Sequence, residues 1–352
     1  MEIKELLNIT KEKDASDLHL NVGIPPVLRI HGKLIKMDLQ ELTPEITHEM
    51  IYSILNEKQK SDFEKYGELD LSYELANVAR FRVNVFKHRR GEGAAFRLIP
   101  EKIKNLSELG LPSILSDFTE KDKGLVLVTG PTGSGKSTTI AAMIDIINKK
   151  KYVNIITIED PIEFIHPHIN CLVSQREIGS HTESFASALR SALREDPDVI
   201  LVGEMRDLET ISMALTAAET GHLVFSTLHT ISAAETIERI IDVFPPHQQN
   251  QVRMQLAGSL LGVVAQTLLP TLDNEGRVAA LEIMMANPAI RNLIREGKTH
   301  QIPSTIQISK KDGMQSLDQS LKDLVMEDKI SREDALKKAI DKKAFMEHQY
   351  NY

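Results

Sequence analysis

The sequence predicts two domains, a smaller α+β domain followed by a larger α/β domain built on a parallel sheet. The length of 352 residues suits two domains of ordinary size. After residue 123, short apolar runs alternate with helical patterns, as in sheets covered by helices on both faces. Before residue 100, polar and apolar residues alternate with a period of two, which favours an antiparallel hairpin. We expect domains at 1–100 and 123–352, a linker at 101–122 and a helical C-terminal part over about 286–352.

The first domain opens with mixed helix and strand signals. Thr43 and Pro44 place a capping hydroxyl before a first-turn proline, so a helix is expected from there to about Leu55. Other expected elements are a short first helix around Ile3, Leu6 and Leu7, a strand at Val27–Ile30 with a turn at His31-Gly32, and a strand at Leu69–Leu75.

A hairpin is expected next. Phe81, Val83 and Val85 alternate with polar residues, Arg82 among them, so one face of this strand should be buried and the other polar. The segment 88–93 has turn chemistry, and Ala94–Ile99 reads as the return strand. The basic run at 87–90 has no function that the sequence explains.

In the second domain, four apolar runs predict buried strands: 125–128, 153–158, 199–202 and 223–225. The apolar stretch Leu256–Leu269 contains Ser259, Gln266 and Thr267 and is too short for a membrane span, so it is interpreted as core. After Pro270 the pattern becomes largely helical, ending in a charged helix that includes 336–350. Ser232 with Glu235, and Ser331 with Asp334, fit capping boxes.

Composition narrows the range of functions that the sequence allows. The net charge of −8 disfavours a sequence-independent grip on nucleic acid, so no nucleic-acid partner is expected. The single cysteine, Cys171, cannot form an internal disulfide or a four-thiolate zinc site. The N-terminal segment lacks the apolar core of a secretory signal, so we expect a cytoplasmic protein.

A phosphate-binding loop is the strongest motif. The segment 130–137 fits G-x-x-x-x-G-K-[ST] between an apolar strand and a helical run. Its glycines allow backbone N–H groups to face phosphate oxygens, Lys136 would neutralise the β and γ oxygens, and Ser137 would bind Mg²⁺. The predicted ATP-binding residues here are Gly130, Pro131, Thr132, Gly133, Ser134, Gly135, Lys136, Ser137 and Thr138.

Carboxylates at two strand ends are the candidates for water activation and metal binding. Glu204 follows the apolar run 199–202 and could orient or deprotonate the attacking water, or hold Mg²⁺ through water. Glu159, Asp160 and Glu163 follow another apolar run; one of them could supply a metal contact, and Glu163 is the rival candidate for the base. The sequence leaves this choice open.

Two histidines flank the run 223–225. His229 would lie at the exit of that strand, where a neutral imidazole could bond to a phosphate and respond to its loss. His222 precedes the strand and is also assigned to the nucleotide site.

These segments together resemble the secretion ATPase superfamily: GPTGSGKST as Walker A, ITIEDPIEF as Asp box, DPDVILVGEMRD as an atypical Walker B and TGHLVFSTLHT as His box. The likeness extends through VSQREIGSHTESF and RFRVNVF. It implies a PAS-like N-terminal domain, a RecA-like ATPase domain and a homohexamer with MgATP between the domains. It also implies arginines at the nucleotide, for which Arg82, Arg97, Arg190 and Arg194 are the candidates.

Within the superfamily the chain is most similar to the retraction ATPases of type IV pili. Their AIRNLIR motif matches 289–295, where helical spacing would bury Ile290, Leu293 and Ile294 and leave Arg291 and Arg295 outside. The lack of a tetracysteine zinc element also argues for retraction over assembly. The resemblance implies pilus machinery and a platform protein at the inner membrane as partners. A type IV secretion, conjugation or pilus-assembly ATPase is the alternative.

Overall fold

The computed structural model describes residues 2–30, 32–76, 78–99, 102–273 and 276–342. These residues form two compact units. The first contains the chain up to Lys102 together with Glu163–Ile165, and the second contains Ile103–Ile162 and the chain from His166 onward. Each unit has its own apolar core.

The first unit is an antiparallel sheet with helices. Its helices are α1 (Ile3–Glu12), α2 (Pro44–Tyr52) and α3 (Glu57–Tyr66), and its strands are β1 (Asp17–Asn21), β2 (Val27–Ile30), β3 (Lys33–Lys36), β4 (Glu68–Leu75), β5 (Ala79–His88) and β6 (Gly91–Ile99). The strand order is β3-β2-β1-β6-β5-β4.

The hairpin prediction is confirmed in this sheet, because β5 and β6 pair antiparallel and bury Phe81, Val83 and Val85. The Thr43 hydroxyl accepts a hydrogen bond from the Ile46 N–H and caps α2, as expected. The sequence interpretation missed β1, β3 and α3. In β3 every residue is exposed, so it shows no alternation of buried and polar positions.

The second unit begins with a short 3₁₀ turn at Ser113–Leu115. Its helices are α4 (Ser116–Thr119), α5 (Lys136–Lys150), α6 (Phe185–Ala192), α7 (Leu208–Glu219), α8 (Ala233–Asp242), α9 (Pro246–Ser259), α10 (Pro288–Arg295), α11 (Ile302–Ile308), α12 (Leu317–Met326) and α13 (Arg332–Lys338). Its strands are β7 (Gly124–Thr129), β8 (Asn154–Glu159), β9 (Leu172–Glu177), β10 (Val199–Val202), β11 (Leu223–Leu228), β12 (Leu260–Pro270) and β13 (Arg277–Met285).

The strands of the second unit form one sheet in the order β13-β12-β7-β11-β10-β8-β9. Every strand pair is parallel except β12 with β13. All residues of β7, β10 and β11 are buried, because apolar clusters cover both faces of the sheet. Parallel strands end at the same edge, so the loops that follow them converge there.

Two expectations for this unit need correction. The segment expected to be a linker packs on the second unit, because Leu106, Leu111, Leu115 and Phe118 are buried in its core. The chain after Pro270 first forms β13, and its helices begin only at Pro288. The residues of β13 are almost all buried on both faces, so the alternation that marks a half-exposed strand is missing.

The C-terminal region contains α10 to α13, and the Ser331 hydroxyl caps α13 by accepting from the Asp334 N–H. Most of the expected final helix, from residue 343 onward, lies outside the described residues. In the described part of the chain, no helix combines the length and the apolarity that crossing a bilayer requires.

Candidate functional site

The phosphate loop connects β7 to α5 and depends on its glycines. Gly130, Gly133 and Gly135 have φ angles of +139°, +77° and +88°, a region that side chains with a Cβ disfavour. A Cβ on Gly130 would lie 2.2 Å from the main-chain oxygen of Gln266. The loop can therefore press its backbone against strand β12 and open at the N-terminus of α5, where the helix dipole favours anions.

Lys136 lies folded over this loop. Its Nζ donates hydrogen bonds to the carbonyl oxygens of Gly130, at 2.8 Å, and Pro131, at 3.1 Å. Partial burial lowers the pKa of Lys136, and the negative charge of Glu204 opposes that shift. The ammonium is thus held inside the loop by two carbonyls, which a phosphate oxygen could replace. Ser137 is exposed in the first turn of α5.

The strand register brings several predicted site residues to one edge of the sheet. Leu228 pairs with Thr129, and Val202 pairs with both Ser226 and Ile158. The segments that follow these positions carry the phosphate loop, Glu204, His229 and the acidic turn at 159–160. All are on the carboxyl edge, as the topological rule for open parallel sheets predicts for a ligand site.

Glu204 is held by two cationic or ionisable side chains. Its Oε1 lies 2.7 Å from Nε of Arg206 and 3.3 Å from Nε2 of His229. Partial burial acts to raise the pKa of Glu204, but the hydrogen bond from Arg206 and the interaction with His229 outweigh it and lower the pKa. Glu204 is therefore kept as a carboxylate, with its side chain only 17% exposed.

Hydrogen bonds made by the residues on either side of Glu204 fix the position of its turn. The Thr227 hydroxyl donates to the Gly203 carbonyl at 2.5 Å, and the Met205 N–H donates to the Thr227 carbonyl at 3.2 Å. Asp207 then caps α7 by accepting from the Thr210 N–H. The turn that carries Glu204 is thereby tied to β11 on one side and to a helix start on the other.

Glu159, Asp160 and Glu163 lie in different environments. Glu159 is buried, and its Oε1 accepts from the Thr157 hydroxyl at 2.6 Å and from Gln175 Nε2 at 3.3 Å, so it is engaged inside the sheet. Asp160 is exposed and helps to raise the pKa of Arg206, a weaker influence there than the hydrogen bond and charge of Glu204. Glu163 is exposed and groups with the first unit.

The assignment of His222 to the nucleotide site needs correction. His222 precedes β11, whose first residue pairs with Gly124 at the start of β7, so it lies at the edge opposite the phosphate loop. Its Nδ1 lies 2.9 Å from the Ala217 carbonyl oxygen. Histidines stand on both sides of this strand in the sequence, but only the second, His229, lies at the carboxyl edge.

Arg190 and Arg194 belong to the α6 region. Arg190 forms an exposed ion pair with Glu209 at the start of α7. Arg194 is exposed just after α6. The next residues, Glu195 and Asp196, offer their carbonyls to Asn154 at the start of β8. Arg194 is therefore near the amino edge of the sheet, whereas the phosphate loop follows β7 at the carboxyl edge.

Arg82 and Arg97 are directly opposite each other in the first unit, on paired positions of β5 and β6. Arg97 Nε bonds to Oδ1 of Asp17 at 2.9 Å, and Arg29 lies on the other side of that carboxylate. Two like charges facing each other repel, so the carboxylate of the buried Asp17 offsets part of the repulsion between Arg82 and Arg97. The exposed face of this sheet thus presents closely spaced guanidinium groups.

A cavity of about 250 Å³ adjoins the loop. It is lined by Leu109, Leu111, Gly135, Thr138, Thr139, Gln266, Leu268, Arg277 and Ala279. Its leucines and alanine give an apolar wall, while Arg277 and Thr138 supply polar groups. Sequence reasoning did not find this cavity, because its walls come from segments far apart in the chain.

Sequence reasoning also missed Arg206 and Gln266. Arg206 stands two residues after Glu204, a spacing that could have indicated it. Gln266 is an amide in an otherwise apolar stretch, and it donates to the Ser134 carbonyl at 2.6 Å. That polar interruption was the available signal.

A parallel sheet with a glycine-rich loop, a lysine and a strand-end glutamate at its carboxyl edge defines a P-loop ATPase. The chain belongs to the type II/IV secretion system protein family, whose model matches residues 6–337. It is an ATP hydrolase of the secretion type.

Three known proteins show the similarity. The type IV pilus retractation ATPase PilT of Pseudomonas aeruginosa is 56% identical over 339 residues, 96% of this chain and 98% of that protein. A twitching motility protein of Neisseria gonorrhoeae is 54% identical, over 89% of this chain and 84% of that protein. A crystal structure of the pilus retraction motor PilT with bound ADP superposes with a TM-score of 0.92 at 50% identity, covering 98% of both chains. The expected RecA-like ATPase domain after a PAS-like domain, with a helical C-terminal region, is confirmed.

Proposed function

We propose that this chain is a hexameric motor that hydrolyses MgATP to drive type IV pilus retraction and twitching motility. The observation that carries the ATP hydrolysis is the Glu204 carboxylate, held in its charged form at the same sheet edge as the phosphate loop. The near full-length similarity to PilT and the AIRNLIR sequence at 289–295 support retraction.

The loop residues have distinct roles in this proposal. The N–H groups of 130–137 bind the phosphates, and Lys136 leaves its two carbonyl partners to neutralise β and γ oxygens. The cavity beside Gly135 and Thr138 takes the base, with its leucines against the ring and the Arg277 guanidinium available to stack. The two hydrogen bonds of Lys136 to loop carbonyls thus break when ATP binds.

The residues also fit Mg²⁺ bound chiefly by phosphate oxygens. Ser137 offers an exposed hydroxyl and Glu204 a carboxylate, while no three His, Cys, Asp or Glu side chains of the described segments form a cage. Mg²⁺ usually keeps several waters and takes one or two protein ligands plus phosphates. Such an ion would neutralise charge on the phosphates, with Asp160 or Glu163 as a further ligand.

Glu204 accepts a proton from the attacking water or orients it, and His229 senses the terminal phosphate while holding the Glu204 oxygen. Glu163 is the alternative base. The exposed arginines Arg82 and Arg97, together with Arg190 and Arg194, are proposed to reach nucleotide or subunit contacts in a hexamer, where a guanidinium could couple the γ-phosphate to domain movement.

In the cell, the hexamer is proposed to act at the cytoplasmic face of the inner membrane, held there by the pilus platform protein. Deleting its gene should leave cells with excess surface pili and no twitching. Wild-type protein should restore both, and Lys136→Ala should restore neither, because it loses ATP binding. An unchanged number of pili in the deletion strain would contradict retraction and favour a secretion role.

A further inference from the structure

Gln266 occupies a buried position between the phosphate loop and the sheet. It follows Ala265, which pairs with Thr129 across parallel strands β12 and β7, so Gln266 is level with the start of the loop. Its side chain is buried, and both ends of the amide are used. Nε2 donates to the Ser134 carbonyl at 2.6 Å, and Oε1 accepts from the Thr139 hydroxyl at 2.7 Å.

We propose that Gln266 is a positioning residue that holds the loop in its phosphate-binding shape before nucleotide arrives. Its two bonds join strand β12 to the loop at Ser134 and to the first turn of α5 at Thr139. Those are the two segments whose N–H groups must converge on the phosphates. The proposal rests on the assignment of the loop 130–137 to phosphate groups.

The glycines of the loop fit this role. A Cβ on Gly135 would lie 2.8 Å from Nε2 of Gln266, and one on Gly130 would meet the Gln266 main-chain oxygen. The loop therefore packs directly against Gln266, and the space between them would not hold a side chain. A loop that is already ordered loses less conformational entropy on binding, so a bond that orders it should strengthen phosphate binding.

The geometry also limits what Gln266 can do. Its amide bonds to the outer wall of the loop and to α5, and both amide ends are occupied by these partners. It can therefore shape the loop without taking part in the chemistry. Loss of the amide should weaken binding of every ligand that carries the phosphates, with or without a base, and should leave the chemical step at saturation nearly intact. Because Gln266 also lines the cavity proposed for the base, a ligand without a base reports on the loop alone.

The test compares Gln266→Leu with a matched control, Gln315→Leu. Gln315 is partly buried in the same unit, and its side chain donates one hydrogen bond to the carbonyl of Leu281. Leu281 pairs with Gln266 but lies on β13, on the side of β12 opposite the loop-bearing strand β7. Binding of ADP and of tripolyphosphate is measured by calorimetry on the full-length protein. Losing hydrogen bonds of ordinary strength should raise both dissociation constants about tenfold in Gln266→Leu and leave them unchanged in the control.

Steady-state kinetics add a readout that general destabilisation would not produce. The KM for ATP should rise about tenfold, while kcat at saturating ATP changes by less than about twofold. Should Gln266→Leu fail to fold, Thr139→Val removes one of the two bonds and should raise both dissociation constants about threefold.

Unchanged dissociation constants in Gln266→Leu, or in Thr139→Val where that variant is used, would overturn the positioning role. A wild-type protein that does not bind tripolyphosphate would instead contradict the assignment of the loop, and the positioning role with it.

Discussion

Oε1 of Glu204 lies 3.3 Å from Nε2 of His229, although the two residues follow different strands of the sheet. Glu204 comes after β10 and His229 after β11, and the parallel register brings both strand ends together. Arg206 contacts the same oxygen at 2.7 Å. One carboxylate oxygen is thus oriented by two neighbours, while its second oxygen is bonded in neither of these contacts.

Replacing Glu204 by Gln should preserve ATP binding and nearly abolish turnover. The amide keeps the size of the side chain but is a far weaker base, so ATP hydrolysis should fall about 10²- to 10³-fold. Phosphate release by the purified protein measures the rate, and binding of a fluorescent ATP analogue measures affinity. Glu163→Gln, measured in the same assays, tests the alternative base. Full hydrolysis by Glu204→Gln with loss in Glu163→Gln would move the base to Glu163.

The acid side of the pH–rate profile should depend on Arg206. Burial by itself would raise the pKa of Glu204. The hydrogen bond from Arg206 and the interaction with His229 outweigh burial, so the pKa lies below its usual value. Since the base must be charged, activity should persist below the usual pKa of a glutamate and fall as pH drops through the lowered value. Arg206→Gln removes the hydrogen bond from Arg206, so the pKa should rise and the acid limb should move to higher pH.

The control for that experiment is Arg239→Gln, which removes an exposed arginine in the last turn of α8. Its profile of kcat/KM against pH should match that of the wild type. An acid limb that stays in place in Arg206→Gln would show that the arginine does not tune the catalytic carboxylate.

Filling the cavity beside the loop should separate base binding from phosphate binding. Ala279 is buried in the wall of the 250 Å³ cavity, and Ala279→Leu would place added methyl groups where the base is proposed to lie. ATP affinity should fall about tenfold, a loss comparable to that of one well-placed apolar group. Tripolyphosphate should bind with wild-type affinity, which also shows that the variant is folded. Equal ATP affinity in both proteins would exclude this cavity as the base site.

Arg291 should be important for stability. Its guanidinium donates to the carbonyls of Ala257, Gly258 and Leu260 at the end of α9, at 2.7 Å for Gly258 and 2.8 Å for Leu260. It therefore satisfies carbonyls that a helix end leaves without partners. Arg291→Ala should lower the free energy of unfolding by about 2–3 kcal/mol, since hydrogen bonds to a charged group are stronger than neutral ones.

Arg295→Ala is the control for Arg291, because Arg295 is exposed on the same helix. It should change the free energy of unfolding by less than about 0.5 kcal/mol. Urea denaturation followed by circular dichroism measures both variants. Equal effects of the two substitutions would contradict the capping role of Arg291.

Arg291 also shows where reasoning from helical periodicity was insufficient. The spacing of AIRNLIR correctly predicted that Ile290, Leu293 and Ile294 are buried. It placed Arg291 outside, and the structure turns that side chain onto another helix. Periodicity describes the faces of one helix, whereas the position of a neighbouring helix end depends on how the two helices pack.

The site shows the same division. The loop 130–137, Glu204 and His229 could be recognised from local sequence, because each follows a short apolar strand and its chemistry depends on residue type and spacing. The polar interruption at Gln266 was visible in the sequence, but its contact with the loop and the cavity wall were not, since β12 and β13 reach the loop only through strand pairing. His222 was misplaced because both ends of a strand look alike until the direction of its neighbours is known.

Residue order alone was enough to specify a P-loop, a buried parallel sheet and a strand-end carboxylate, since glycine conformation, apolar runs and charge act over a few neighbouring positions. Folding was needed to decide which distant groups meet: His229 on the Glu204 oxygen, Gln266 under the loop, and Arg291 on the end of α9. These contacts join segments distant in the chain, and their short range means that only packing in three dimensions can create them.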